Sequence, residues 1–115
     1  MPEMTGDERQ RFLDVLVEGA RFNGYVVYEK DAREDLGTYL GGWSEQGVTK
    51  ELLAYGQAGG KISRNQEKRE GWMDKWKFCF HLWPTIGGQK LYFEARFDDR
   101  DADDPVIRIV RIHPP

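Results

Sequence analysis

The stretch Lys75-Trp76-Lys77-Phe78-Cys79-Phe80-His81-Leu82-Trp83 sets the frame for the chain. Large apolar side chains (Trp76, Phe78, Phe80, Leu82) alternate there with a more polar set (Lys77, Cys79, His81), the period-two pattern of a half-buried β-strand. Leu91-Tyr92-Phe93-Glu94-Ala95-Arg96-Phe97 alternates again, with Leu91, Phe93, Ala95 and Phe97 on one side and Tyr92, Glu94 and Arg96 on the other. Between the two runs, Pro84-Thr85-Ile86-Gly87-Gly88-Gln89 is a turn by composition. Opposed residues of an antiparallel pair share a face. Pairing Leu82 with Leu91, Phe80 with Phe93, Phe78 with Ala95 and Trp76 with Phe97 therefore makes one apolar face, with a two-residue shift as the alternative. That pairing sets His81 beside Tyr92, Cys79 beside Glu94 and Lys77 beside Arg96.

A third run, Val106-Ile107-Arg108-Ile109-Val110-Arg111-Ile112-His113, is apolar on both faces, as expected of an inner strand covered on both sides for part of its length. If Val106, Val110 and Ile112 join the apolar face, Arg111 and His113 arrive beside Tyr92 and Glu94.

Upstream, Thr5-Gly6-Asp7-Glu8 reads as a capping box, and Phe12, Val15, Leu16, Gly19 and Ala20 form the apolar stripe of a helix from about Asp7 to Phe22. Tyr25-Val26-Val27-Tyr28 is a short edge or connecting strand. Asp31 with Glu34 opens a second helix that ends at Gly41-Gly42, with Leu36, Tyr39 and Leu40 inward. Thr49 caps a third, Lys50 to Tyr55, anchored by Leu52 and Leu53 and stopped at Gly56. Gln57 to Gly71 has three glycines and no apolar periodicity, so a mobile loop is expected. The class is α+β: one domain over residues 1–115, with N-terminal helices packed on one face of a small antiparallel sheet.

Hydrophobic content of 39% and fifteen aromatic residues mark a folded protein, although 32% of residues are charged. No run has the length of a membrane helix, and Met1-Pro2-Glu3-Met4 lacks signal character, so no membrane association and a cytoplasmic location are expected. A lone cysteine, Cys79, excludes an internal disulfide or a cysteine metal cage and reads as a buried thiol. Net charge is −3, the wrong sign for binding nucleic acid by bulk charge. Locally the sign reverses: between Gln57 and Lys90 seven cations stand against three anions.

No metal or cofactor is expected. The two histidines are far apart in sequence. Asp99, Asp101 and Asp103 begin like a calcium loop, but Asp104 replaces the required glycine and Val110 the terminal carboxylate. Gly59-Gly60-Lys61 lacks the spacing of a phosphate loop. The polar sheet face remains. Metal-free RNA cleavage needs a base for the 2′-hydroxyl, an acid for the leaving oxygen and cations for the phosphate. His113 is the natural proton carrier, Glu94 a base, Tyr92 a donor or stacking surface, and Arg96 and Arg111 phosphate clamps. An ordinary solvated strand face would show the same alternation.

The basic loop, the aromatic strand, "Leu-Tyr-Phe-Glu-Ala-Arg-Phe" and the terminal "Ile-Val-Arg-Ile-His-Pro" resemble the MqsR-type mRNA interferase toxins of the RelE superfamily, over roughly Asp31 to the end. The resemblance implies a RelE-like fold, a toxin that cuts messenger RNA, and an antitoxin as protein partner. It matches the family's active-site tyrosine to Tyr92 and its terminal basic residue to His113. Its catalytic position on the aromatic strand falls near Lys77 and its lysine after the third helix at Lys61; Glu94 stands where the family has a strand lysine. The catalytic set is then Tyr92, His113, Glu94 and Arg111, and the RNA-binding set Lys61, Arg64, Lys77 and Arg96. Two readings compete: an interaction module presenting exposed Trp43, Trp72 and the acidic Asp98–Asp104 loop to a protein partner, and an acidic immunity or anti-defence protein.

Overall fold

The computed structural model describes residues 3–101 and 103–115; Met1 and Pro2 of the N-terminal reading and Ala102 of the acidic loop lie outside them. The element order is α1 (Gly6–Arg21), β1 (Val26–Tyr28), α2 (Lys30–Tyr39), α3 (Glu45–Gln57), β2 (Ile62–Gln66), β3 (Phe78–Leu82), β4 (Thr85–Ile86), β5 (Gln89–Lys90), β6 (Tyr92–Asp98) and β7 (Val106–His113). Five strands form one sheet in the order β1-β7-β6-β3-β2, and β4-β5 is a separate ribbon. The class is α+β, but the large sheet is mixed: β1 lies parallel to β7 and every other pair is antiparallel.

The apolar face of the sheet is the one the alternation defines. Phe80, Leu82, Phe93, Ala95 and Phe97 are buried on it, with Ile107, Ile109 and Ile112. α1 lies across this face. Phe12 meets Phe80 at 6.0 Å and Phe97 edge-on at 5.4 Å between ring centroids, the geometry aromatic quadrupoles favour. All five residues of the α1 stripe are buried. Thr5 occupies the N-cap position but makes no side-chain cap bond, so the capping box is not formed.

The other helix starts differ from expectation. α2 begins at Lys30 after Glu29, not at Asp31. α3 begins at Glu45, where Ser44 accepts from the Gly47 amide at 2.9 Å. Thr49 lies inside α3, holding the buried Tyr28 hydroxyl at 2.9 Å. A hydroxyl in a dry core requires such a partner, and this one joins α3 to β1.

Register is where tertiary structure corrects the pattern. Leu82 pairs with Phe93 and Phe80 with Ala95, the two-residue shift, which keeps these four on the apolar face; β3 starts only at Phe78, so Trp76 and Lys77, expected in the strand opposite Phe97 and Arg96, lie outside the ladder. The cause of the shift is the connection. Gly87 and Gly88, both at positive φ (61° and 79°), turn the β4-β5 ribbon, as a two-residue hairpin requires. Leu91 closes back on the Pro84 carbonyl at 3.0 Å. In β7 the expected apolar set of Val106, Val110 and Ile112 is replaced by Ile107, Ile109 and Ile112. A bulge at Val110, opposite the Glu94–Ala95 step, inserts one extra residue and changes the alternation mid-strand.

The expected mobile loop is largely ordered. Ile62–Gln66 pairs with β3 as the outer strand, and residues 67–77 fold over the polar side of the sheet. Among the described residues no helix is long and apolar enough to cross a membrane.

Candidate functional site

On the face away from α1, three neighbouring strands contribute one aromatic ring each. His81 (β3) and His113 (β7) flank Tyr92 of the central strand β6, with ring centroids 5.0 Å and 4.8 Å from the phenol. Tyr92 and His113 are directly paired, whereas His81 lies opposite Glu94 and reaches Tyr92 diagonally. Trp83 closes the group at 5.9 Å from Tyr92 and 6.2 Å from His81. All four rings are half-buried.

The two imidazoles have complementary hydrogen bonds. His113 Nδ1 lies 2.8 Å from the Pro114 carbonyl, which only accepts. Nδ1 therefore donates, and in the neutral form of the ring the lone pair lies on Nε2. His81 Nδ1 accepts from the Asn65 amide nitrogen at 3.0 Å, which leaves Nε2–H as a donor. Asn65 is steadied by a 3.1 Å bond to Ser63. Burial lowers the His81 pKa, partly offset by the charge of Glu94, so the ring is neutral near neutral pH. Burial, aided by Glu94, pushes the Tyr92 phenol up to about 12, so it remains a proton donor. Burial likewise pushes the Cys79 thiol up, against a nucleophilic role.

The remaining expected residues divide. Glu94 and Arg111 face each other across β6-β7 on the same side as Tyr92 and His113, but both charges are engaged. Glu94 binds Arg69 and, at 2.9 Å, Arg96; Arg111 binds Asp35 of α2 at 2.8 Å. Two guanidiniums thus share one oxygen of Glu94 and tie its side chain into the ion-pair cluster. Arg96 is completely buried, and both of its Nη groups are engaged within the fold, by the Ala95 carbonyl and by the carboxylates of Glu67 and Glu94. Arg64 turns to the α1 side, with Glu8 at 3.4 Å and the Phe78 ring at 4.4 Å, away from Tyr92. Lys61 and Lys77 are exposed, the first just before β2 and the second just before β3.

The four tryptophans are not free surface anchors either. Trp43 packs on the core beside Gly87, Trp72 lies half-buried over Arg96, Trp76 is 7% exposed and Trp83 belongs to the aromatic group. The expected site set omits His81, Asn65, Trp83 and Arg69. Alternation already placed His81 on the correct face, but nothing in the sequence paired it with Asn65, which reads as loop. Among the described residues no three His, Cys, Asp or Glu side chains converge to hold a metal ion. Comparison of the chain with known protein families, with curated proteins and with solved structures finds no match.

Proposed function

We propose that this protein is an endoribonuclease that cleaves single-stranded RNA by acid–base catalysis at the 2′-hydroxyl, with His113, Tyr92 and His81 as its working groups. The observation that carries the reading is the placement of Tyr92 between two imidazoles of opposite hydrogen-bonding sense. The Nε2 lone pair of His113 takes the 2′-hydroxyl proton, and the 2′ oxygen attacks the adjacent phosphorus. His81 Nε2–H donates to a non-bridging phosphate oxygen as charge develops there. The bond from phosphorus to the 5′ oxygen breaks and the Tyr92 phenol protonates the departing oxygen. A 2′,3′-cyclic phosphate and a 5′-hydroxyl end result, and the proton on His113 returns to the phenolate. Half-buried rings on an open sheet face also suit unstacked bases, which aromatic side chains bind through their π-faces.

The catalytic set drawn from the sequence is thereby revised. Tyr92 and His113 stay, His81 enters, and Glu94 and Arg111 become supports. The resemblance to interferase toxins adds the wider proposal of a toxin held in check by an antitoxin, which growth arrest on induced expression would bear out. The direct test is incubation of purified protein with single-stranded RNA in excess chelator, followed by analysis of the product ends. Cyclic-phosphate ends from wild type, lost in His113→Ala, support the mechanism; RNA left intact by the wild type, or cut equally by the variant, rejects it.

A further inference from the structure

Farther along β6 a second feature opens on the same face. A cavity of about 300 Å³ is lined by Trp72, Trp76, Lys75, Arg96, Arg108 and Val110, at the lower end of the size range of ligand clefts. Its two sides differ in chemistry. Trp72 and Trp76 sit one helical turn apart, the Trp76 amide donating to the Trp72 carbonyl at 2.8 Å, and with the bulged Val110 they form an apolar side. Arg96, Arg108 and Lys75 form a cationic side. Glu29, which also lines the cavity, balances Arg108 at 3.2 Å, so Lys75 is the lining cation without a carboxylate against it among the described residues. Arg96 differs: it is fully buried, and its Nε has no hydrogen-bond partner among the described residues. A buried guanidinium N–H without an acceptor costs stability, and negative charge in the adjoining cavity would offset part of that cost.

From this combination we infer that the cavity is a nucleotide-binding subsite, taking a base against the indoles and Val110 and its phosphate against Lys75 and Arg108, with the buried charge of Arg96 beneath them. The inference deepens the RNA-cleavage reading and rests on it for the source of the nucleotide. Tyr92 and Arg96 are four residues apart on one strand, about 13 Å, so an extended single strand can occupy the acid–base group and this cavity together. The same chemistry fits a free nucleoside monophosphate, and the experiment separates the two sources.

Binding is measured by calorimetry with adenosine and uridine 5′-monophosphates, and by fluorescence anisotropy with a short labelled single-stranded RNA in a His113→Ala background that prevents turnover. Saturable binding of a mononucleotide identifies a free-nucleotide site; binding of the oligonucleotide alone identifies a subsite for one nucleotide of a chain. In either case Trp72→Ala weakens binding about tenfold, the scale of losing one base–aromatic contact, and Trp72→Phe restores most of it. Lys75→Glu, an exposed change that leaves packing intact, weakens binding and lowers the salt slope by about one. Absence of binding to every probe, or affinities unchanged by both Trp72→Ala and Lys75→Glu, overturns the subsite. The outcomes are separable from those of the cleavage test. Trp72-dependent binding by a wild type that cuts nothing leaves the subsite standing without the nuclease. Cleavage whose KM is untouched by Trp72→Ala and Lys75→Glu leaves the nuclease standing without the subsite.

Discussion

The imidazole of His113 and the phenol of Tyr92 lie 4.8 Å apart at 35° on the sheet face opposite α1, placed there by direct pairing of β6 with β7. Removing either functional group tests the proposed chemistry at the point of greatest leverage. His113→Ala takes away the base and should reduce cleavage by about 10²- to 10⁴-fold. Tyr92→Phe keeps the ring stacked and removes only the proton donor, so RNA affinity should be retained while kcat falls. Single-turnover rates with saturating RNA distinguish the two. A loss of affinity in Tyr92→Phe with an unchanged rate at saturating RNA would show that the hydroxyl acts in binding and not in the chemical step.

His81 gives the fold a pH dependence of defined sign. Its pKa is lowered in the folded chain, chiefly by burial, so below the ordinary imidazole value the unfolded chain binds a proton that the folded one refuses. Its contribution is therefore fully present above about pH 6.5 and is lost as pH falls toward the lowered folded value. Urea midpoints measured between about pH 8 and about pH 5 should fall more steeply for wild type than for His81→Gln. Parallel curves would mean that the imidazole titrates alike in both states.

How much of this was legible follows from which residues carry a period. The apolar face was readable because Phe80, Leu82, Phe93, Ala95 and Phe97 alternate without interruption; His113 reached the opposite face only through Ile112, since Val106 and Val110, read inward with it, give way to Ile107 and Ile109. Exact register was not. Pairing Leu82 with Leu91 or with Phe93 satisfies the same alternation, and the choice is made by the Gly87-Gly88 turn. β2 left almost no signal. Its sequence, Ile62-Ser63-Arg64-Asn65-Gln66, has one apolar residue, and its conformation is imposed by pairing with β3. The bulge at Val110 was hidden for a related reason: with apolar residues at 106, 107, 109, 110 and 112, no single alternation fits, and only the ladder with β6 shows where the extra residue falls.

The buried charges explain the order of residues 67–77. Burial alone would raise the Glu67 carboxyl, but the Arg69 amide and the Arg96 guanidinium outweigh it and hold the group below the usual range. Glu67 is nearly inaccessible, 2% exposed in its side chain, and Arg96 entirely so. Arg96→Met would remove the buried one of the two guanidiniums that Glu67 and Glu94 share, leaving only Arg69, at a cost of up to about 3–5 kcal/mol. Arg96→Lys should recover little, because an ammonium lacks the planar fork that meets two carboxylates at once. Urea denaturation reads both. A loss under about 0.5 kcal/mol in Arg96→Met, the level of an ordinary surface change, would mean that loop and sheet hold together without the ion pairs.

Asp35 links α2 to the strand end that carries His113. β1 stops at the Tyr28–Ile109 pair, so the outer edge of β7 beyond it has no strand partner. Asp35 fills that gap from α2: one oxygen accepts from the Ile112 amide at 2.9 Å and from Arg111 Nε at 2.8 Å, and the other meets Arg111 Nη2 at 3.3 Å. Asp35→Ala leaves a buried backbone donor unpaired and should cost about 1–3 kcal/mol. Asp35→Asn keeps an oxygen for the Ile112 amide and should cost less. Because His113 is the next residue, the alanine variant should also lower kcat with little change in KM, and the asparagine variant should restore most of the rate. If both variants lose stability but cut RNA at the wild-type rate, Asp35 braces the sheet edge without positioning His113.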